Sequence, residues 1–152
     1  MKQMTVVARL AVVIVMVALF GAPASAQQQL PSAMIQEIMI KTSLLTFNDA
    51  NETGNYDVLH ARLSKPFRDQ FPPEKLAAIF KPFHDQHASL DLVAAKPPVA
   101  TEPAKIDDQG RLVLKGYFDT GASRVNYDLA FIFDEDEWRL VRLNVDLKGT
   151  GK

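Results

Sequence analysis

The chain of 152 residues contains no cysteine. That excludes a disulfide framework, a thiol nucleophile and a thiolate metal site. It also excludes a bacterial lipid-anchored form, which needs a cysteine after the N-terminal apolar run. No excess of basic charge is present: 18 Asp and Glu stand against 17 Lys and Arg, and Lys2 and Arg9 lie in a segment read below as cleaved. A slightly acidic domain argues against nucleic acid or an anionic membrane surface as partner. There are no internal repeats and no established catalytic or metal signature. The one long apolar run, Leu10–Phe20, is short for a membrane span.

That run follows Lys2 and Arg9 and precedes Gly21-Ala22-Pro23-Ala24-Ser25-Ala26. A positive start, an apolar middle and a small-x-small end describe a secretory signal peptide, with the cut after Ala26. An uncleaved membrane anchor is the alternative. On the first reading the protein is periplasmic or secreted and keeps no stable membrane anchor. Residues 27–152 then form one domain, held by its hydrophobic core alone.

The stretch from Gly110 to Leu147 reads as three strands joined by two polar turns. Leu112, Leu114 and Phe118 share one parity, as do Val125, Tyr127, Leu129, Phe131 and Phe133, and period-two patterning is the strand signal. A loop at Thr120–Ser123 places Phe118 opposite Val125 and Leu114 opposite Leu129. The acidic turn Asp134-Glu135-Asp136-Glu137 sets Phe133 against Trp138 and Phe131 against Leu140. It lacks the spacing of a calcium loop and reads as a solvated tip. Beyond it the register is ambiguous. Uninterrupted, it sends Arg142, Asn144 and Asp146 to the core side and Val141, Leu143, Val145 and Leu147 to the other face. Either a bulge near Arg139 corrects this, or the sheet is apolar on both faces, with Val113, Tyr117, Ala130 and Ile132 also on the second. A two-sided sheet implies a homodimer through the outer sheet face.

Before the sheet, helical spacing runs from about residue 32 to 86. The first helix carries Ile35, Ile38, Met39, Leu44, Leu45 and Phe47 and stops at Gly54. A second covers Tyr56–Leu63, ended by Ser64-Lys65-Pro66. The third starts at Phe71-Pro72-Pro73, buries Leu76, Ile79, Phe80 and Phe83, and is kinked or shortened by Pro82. Ser89–Ala94 reads as a short strand, Lys96–Pro103 as a proline-rich edge connector, and Lys105–Asp108 as a partner strand. The class is α+β, N-terminal helices on one face of an antiparallel sheet spanning about 89–147.

The segment Phe47-Asn48-Asp49-Ala50-Asn51-Glu52-Thr53-Gly54-Asn55-Tyr56 resembles the helix-turn-helix start of the nuclear-transport-factor-2-like superfamily. The closing Asp136-Glu137-Trp138-Arg139-Leu140-Val141 is similar to its final hairpin. The resemblance spans roughly residues 34–147. It implies a cone-shaped α+β roll, a curved sheet wrapped on the helices around an internal pocket, with frequent sheet-to-sheet dimers. Members include ketosteroid isomerases, dehydratases and cyclases, so the fold by itself fixes no function.

Five residues are candidates for lining such a pocket. Tyr127 sits on the core parity, with Arg142 and Asn144 across from it if the register holds. His60 on the second helix and His87 after the third complete the set. His84 and His87, three apart, share a helix face and can bind a metal, but no third ligand follows at a diagnostic spacing. No residue is assigned as catalytic and no metal or other cofactor is implied. The expectation is an exported, non-enzymatic domain that dimerises and holds a small apolar ligand. The alternatives are a pocket enzyme of isomerase, dehydratase or cyclase type using Tyr127 with His60 or His87, and an accessory module binding an envelope partner through Lys96–Pro103.

Overall fold

The structure, a computed structural model, describes residues 29–121 and 123–149. The proposed signal peptide, residues 1–26, lies outside them. Among the described residues, four α-helices precede the sheet: α1 (Ala33–Thr53), α2 (Asp57–Arg62), α3 (Lys65–Gln70) and α4 (Pro73–Asp85). A 3₁₀ turn at Asp91–Ala95 follows, then strands β1 (Val99–Ala100), β2 (Lys105–Ile106), β3 (Leu112–Asp119), β4 (Ser123–Asp134) and β5 (Glu137–Gly149). All strand pairs are antiparallel; β3, β4 and β5 lie side by side, and β1 and β2 share the outer edge of β3. Among the described residues the chain is α+β, four helices and a five-stranded antiparallel sheet.

The hairpins follow the sequence pattern. Phe118 pairs with Val125 and Leu114 with Leu129; Phe131 pairs with Leu140 and Phe133 with Trp138. The second turn is tighter than four acids. Asp134 pairs with Glu137, and Glu135 and Asp136 both take positive φ, 52° and 66°. Two successive left-handed residues make the turn whose twist matches a hairpin. Its acids are also engaged. Asp134 Oδ2 accepts from the Lys65 backbone N–H at the start of α3 (2.8 Å), and Glu135 takes Arg68 at 2.9 Å.

The bulge settles the last strand. Ala130 pairs with Arg142 but Phe131 with Leu140, which leaves Val141 as the extra residue. Beyond it Leu143, Val145 and Leu147 pair with Leu129, Tyr127 and Val125 and join the core side. Arg142, Asn144 and Asp146 therefore fall on the outer face, opposite to the uninterrupted register. Most of the apolar second face disappears with this shift. What stays there is Val113 and Ala130, 6% and 0% exposed within the chain itself, and Ile132 and Tyr117, the latter under Arg124 at 4.1 Å.

The helices differ from the pattern at three places. The α1 stripe is rotated: Ile40, Leu44, Phe47 and Ala50 are buried, whereas Ile35 and Ile38 are exposed. The polar Asn48 and Asn51 are buried in their place because they bind neighbouring segments. Ser64-Lys65-Pro66 ends α2 yet also begins α3, since proline in a first turn removes only an unused donor. Ser89–Ala94 is no strand; the 3₁₀ turn starts there because Leu90 N–H bonds Asn48 Oδ1 (2.7 Å) instead of a sheet. Pro82 is accommodated within α4, whose last helical residue is Asp85.

Candidate functional site

The C-terminal half of α1 organises the helices. Asn48 Nδ2 donates to Glu52 (3.0 Å) and Asp91 (2.9 Å), and its carbonyl oxygen takes Leu90 N–H. Asn51 Oδ1 accepts the Tyr56 hydroxyl at 2.6 Å, and its backbone carbonyl accepts from His84 Nδ1. Both asparagines are almost fully buried, and the side-chain oxygen of each accepts a hydrogen bond. Four segments converge on two residues. Around them Phe47 meets Phe80 and Phe83 edge-on at 4.8 and 5.2 Å.

Phe80 also faces a second space, toward β5. There α2, α3 and α4 splay from the edge of β5 and leave an apolar cleft of about 210 Å³. Leu59, Leu63 and Phe67 form one wall, Phe71, Leu76, Ile79 and Phe80 the other, and Val141–Asn144 the sheet side. Leu63 bridges to Leu140, with Ser64 N–H on the Leu140 carbonyl (3.0 Å), so the helical segment leaves the strand where the cleft begins. Phe67 and Phe71 stack at 4.5 Å, and Lys75 lies 4.5 Å over the Phe71 ring.

Of the five pocket candidates, Arg142 and Asn144 line this cleft. They do so from the outer-face parity, so they do not stand across from Tyr127. Arg142 Nη2 instead meets Asp128 at 2.7 Å, while Val145 pairs with Tyr127. Tyr127 is packed against Phe118 at 5.7 Å and above Gly116. A Cβ at Gly116 would lie 2.5 Å from the Tyr127 hydroxyl, so glycine leaves the room the ring fills. Burial pushes the Tyr127 hydroxyl up to about 12. His60 Nε2 is 3.1 Å from the Arg68 carbonyl, which can only accept, so that nitrogen carries the proton. His87 is exposed with φ 51°, in a separate hollow with Asn51, Glu52 and His84. Tyr127, His60 and His87 are not brought together, and none lines the cleft.

Sequence reasoning missed Phe67 and Phe71 as cleft walls, although their four-residue spacing is the signal for one helix face. Val141 was hidden because a bulge carries no composition of its own. A second hollow of about 300 Å³ lies between α1 and the β4–β5 hairpin, but Arg62, Glu137 and Arg139 line it beside Ile35, Ile38 and Trp138. The cleft is smaller and far less charged. Among the described residues no three His, Asp or Glu side chains are grouped so as to hold a metal ion. No family model, curated protein or solved structure matches the chain.

Proposed function

We propose that this chain is an exported α+β roll of the nuclear-transport-factor-2-like kind that holds a small apolar molecule in the cleft between α2–α4 and β5. One observation carries the reading: seven apolar side chains from three helices and a loop converge on a space they leave unfilled. Interiors are normally packed to crystal density, and apolar cavities of roughly 150 Å³ accept a benzene-sized guest. At about 210 Å³ the cleft suits a single ring with short substituents, or a branched chain of similar bulk. Isomerase or dehydratase chemistry needs a titratable group facing the ligand. Tyr127, His60 and His87 all stand outside the lining, so nothing favours that alternative over binding.

Titration with a naphthalene-type fluorescent probe tests the reading, together with native mass spectrometry of protein taken from its own host. Ile79 is 48% exposed at the cleft, so Ile79→Glu should spare the fold and weaken the probe roughly tenfold or more. Ile38→Glu, on α1 at the other hollow, should leave it unchanged. A probe that does not bind, or that ignores Ile79→Glu, removes the proposal. Export is tested separately: N-terminal sequencing of that protein should begin at Gln27.

A further inference from the structure

The two edges of the sheet are treated differently. The outer edge of β3 is taken by the short strands β1 and β2, and Pro97, Pro98 and Pro103 in the surrounding segment withhold donors from any further strand. Among the described residues, the outer edge of β5 is bridged at Leu140, by Leu63 and Ser64. From Val141 to Gly149 no described strand pairs with it. Its backbone orientation follows from one contact: Asn126 Nδ2 reaches the Asp146 carbonyl at 3.4 Å, so that carbonyl faces β4. Alternation along the strand then turns the N–H and C=O groups of Val145 and Leu147 to the open side.

We infer that this edge pairs with the same edge of a second copy, Val141–Leu147 against Leu147–Val141 of the partner about a two-fold axis at Asn144. Charge selects that register. With Asn144 opposite itself, Arg142 faces Asp146 of the partner subunit, and the symmetry makes the pair twice. A two-fold at Val145 instead sets Arg142 against Lys148 of the partner subunit, two like charges. A two-fold at Leu143 sets Arg142 against Asn144 of the partner subunit and leaves Asp146 without an opposite charge. Arg142 has capacity for the contact: its Nη2 meets Asp128 while 30% of its side chain stays exposed. Asp146 is 61% exposed, and its carboxylate lies 3.6 Å from Lys148. The apolar residues agree, since Leu143 falls opposite Val145 of the partner subunit and Val141 opposite Leu147 of the partner subunit. These partner side chains arrive beside the cleft and close its sheet side. The inference stands on the edge and its charges, and does not depend on any ligand.

Sedimentation of the full chain between roughly 1 and 100 µM, with hydrogen exchange on the same samples, tests it. A dimer is expected in which the amides of Val145 and Leu147 gain protection as concentration rises. Asp146→Arg sets Arg142 against a like charge and should weaken association roughly tenfold or more. Val145→Pro removes one edge donor and should abolish it. If the proline variant fails to fold, the arginine variant, on an exposed position, still decides. A monomer throughout overturns the proposal. So does a dimer indifferent to Asp146→Arg and broken by Ile132→Asp, which marks packing through the outer sheet face.

Discussion

Asn48 shows how much one buried polar residue can hold. Its amide satisfies Glu52, Asp91 and the Leu90 N–H, and so ties α1 to the 3₁₀ turn. Asn48→Ala leaves that N–H without a partner in a closed interior and should cost about 2–4 kcal/mol in urea unfolding. Asn48→Asp keeps the acceptor but adds a third carboxylate, and is expected to be no better. Tyr127 makes a pH-dependent case. Its hydroxyl is raised because burial disfavours the phenolate. In the unfolded chain it ionises near pH 10, so its contribution is fully present below that and is lost as pH rises toward about 12. Stability should therefore fall by on the order of 2 kcal/mol over that window. Tyr127→Phe should flatten that part of the profile while keeping the ring over Gly116. An unchanged slope would mean that another group is responsible.

Elements were legible wherever a periodic run met a strong stop. Gly54 ends α1 in the left-handed conformation, φ 72°, and Pro73 opens α4, as their residue types require. The cross-strand pairs of β3, β4 and the start of β5 could be read because alternate apolar residues and turn length leave one solution. The path of β5 could not, because Val141 looks like any strand residue and the bulge is set by what must be buried opposite Leu129 and Tyr127. The rotation of α1 was hidden for a related reason: Ile35 and Ile38 are apolar, but Asn48 and Asn51 find partners and they do not. The β4–β5 turn offers an element-scale prediction. Asp136 holds φ 66°, where glycine has no Cβ penalty. Asp136→Gly should stabilise the protein by roughly 0.5–1 kcal/mol in thermal or urea unfolding. Glu135→Gly should not, since Glu135 also binds Arg68 and Arg139.

For the molecule as a whole, the cleft and the open edge of β5 are one feature. The helices follow the sheet closely through Leu63 and Ser64 and then part from it, leaving apolar walls and unpaired backbone at the same place. Filling that space should trade binding for stability. Leu76→Phe, at a position on the α4 wall, is expected to raise the melting temperature by a few degrees and to weaken the fluorescent probe. A destabilised variant would show that the α4 wall has no room for the larger ring, and one that still binds would place the probe elsewhere. By itself the sequence determined the α+β class, the register of the first hairpin and of the start of the second, the glycine and proline helix boundaries and the polar turns, because each depends on neighbours within a few residues or on strict alternation. Which face β5 turns inward, which asparagines are buried, and where helices and sheet separate were decided only in the tertiary structure. Those outcomes depend on competition among distant groups for the same interior, and no local spacing records who wins it.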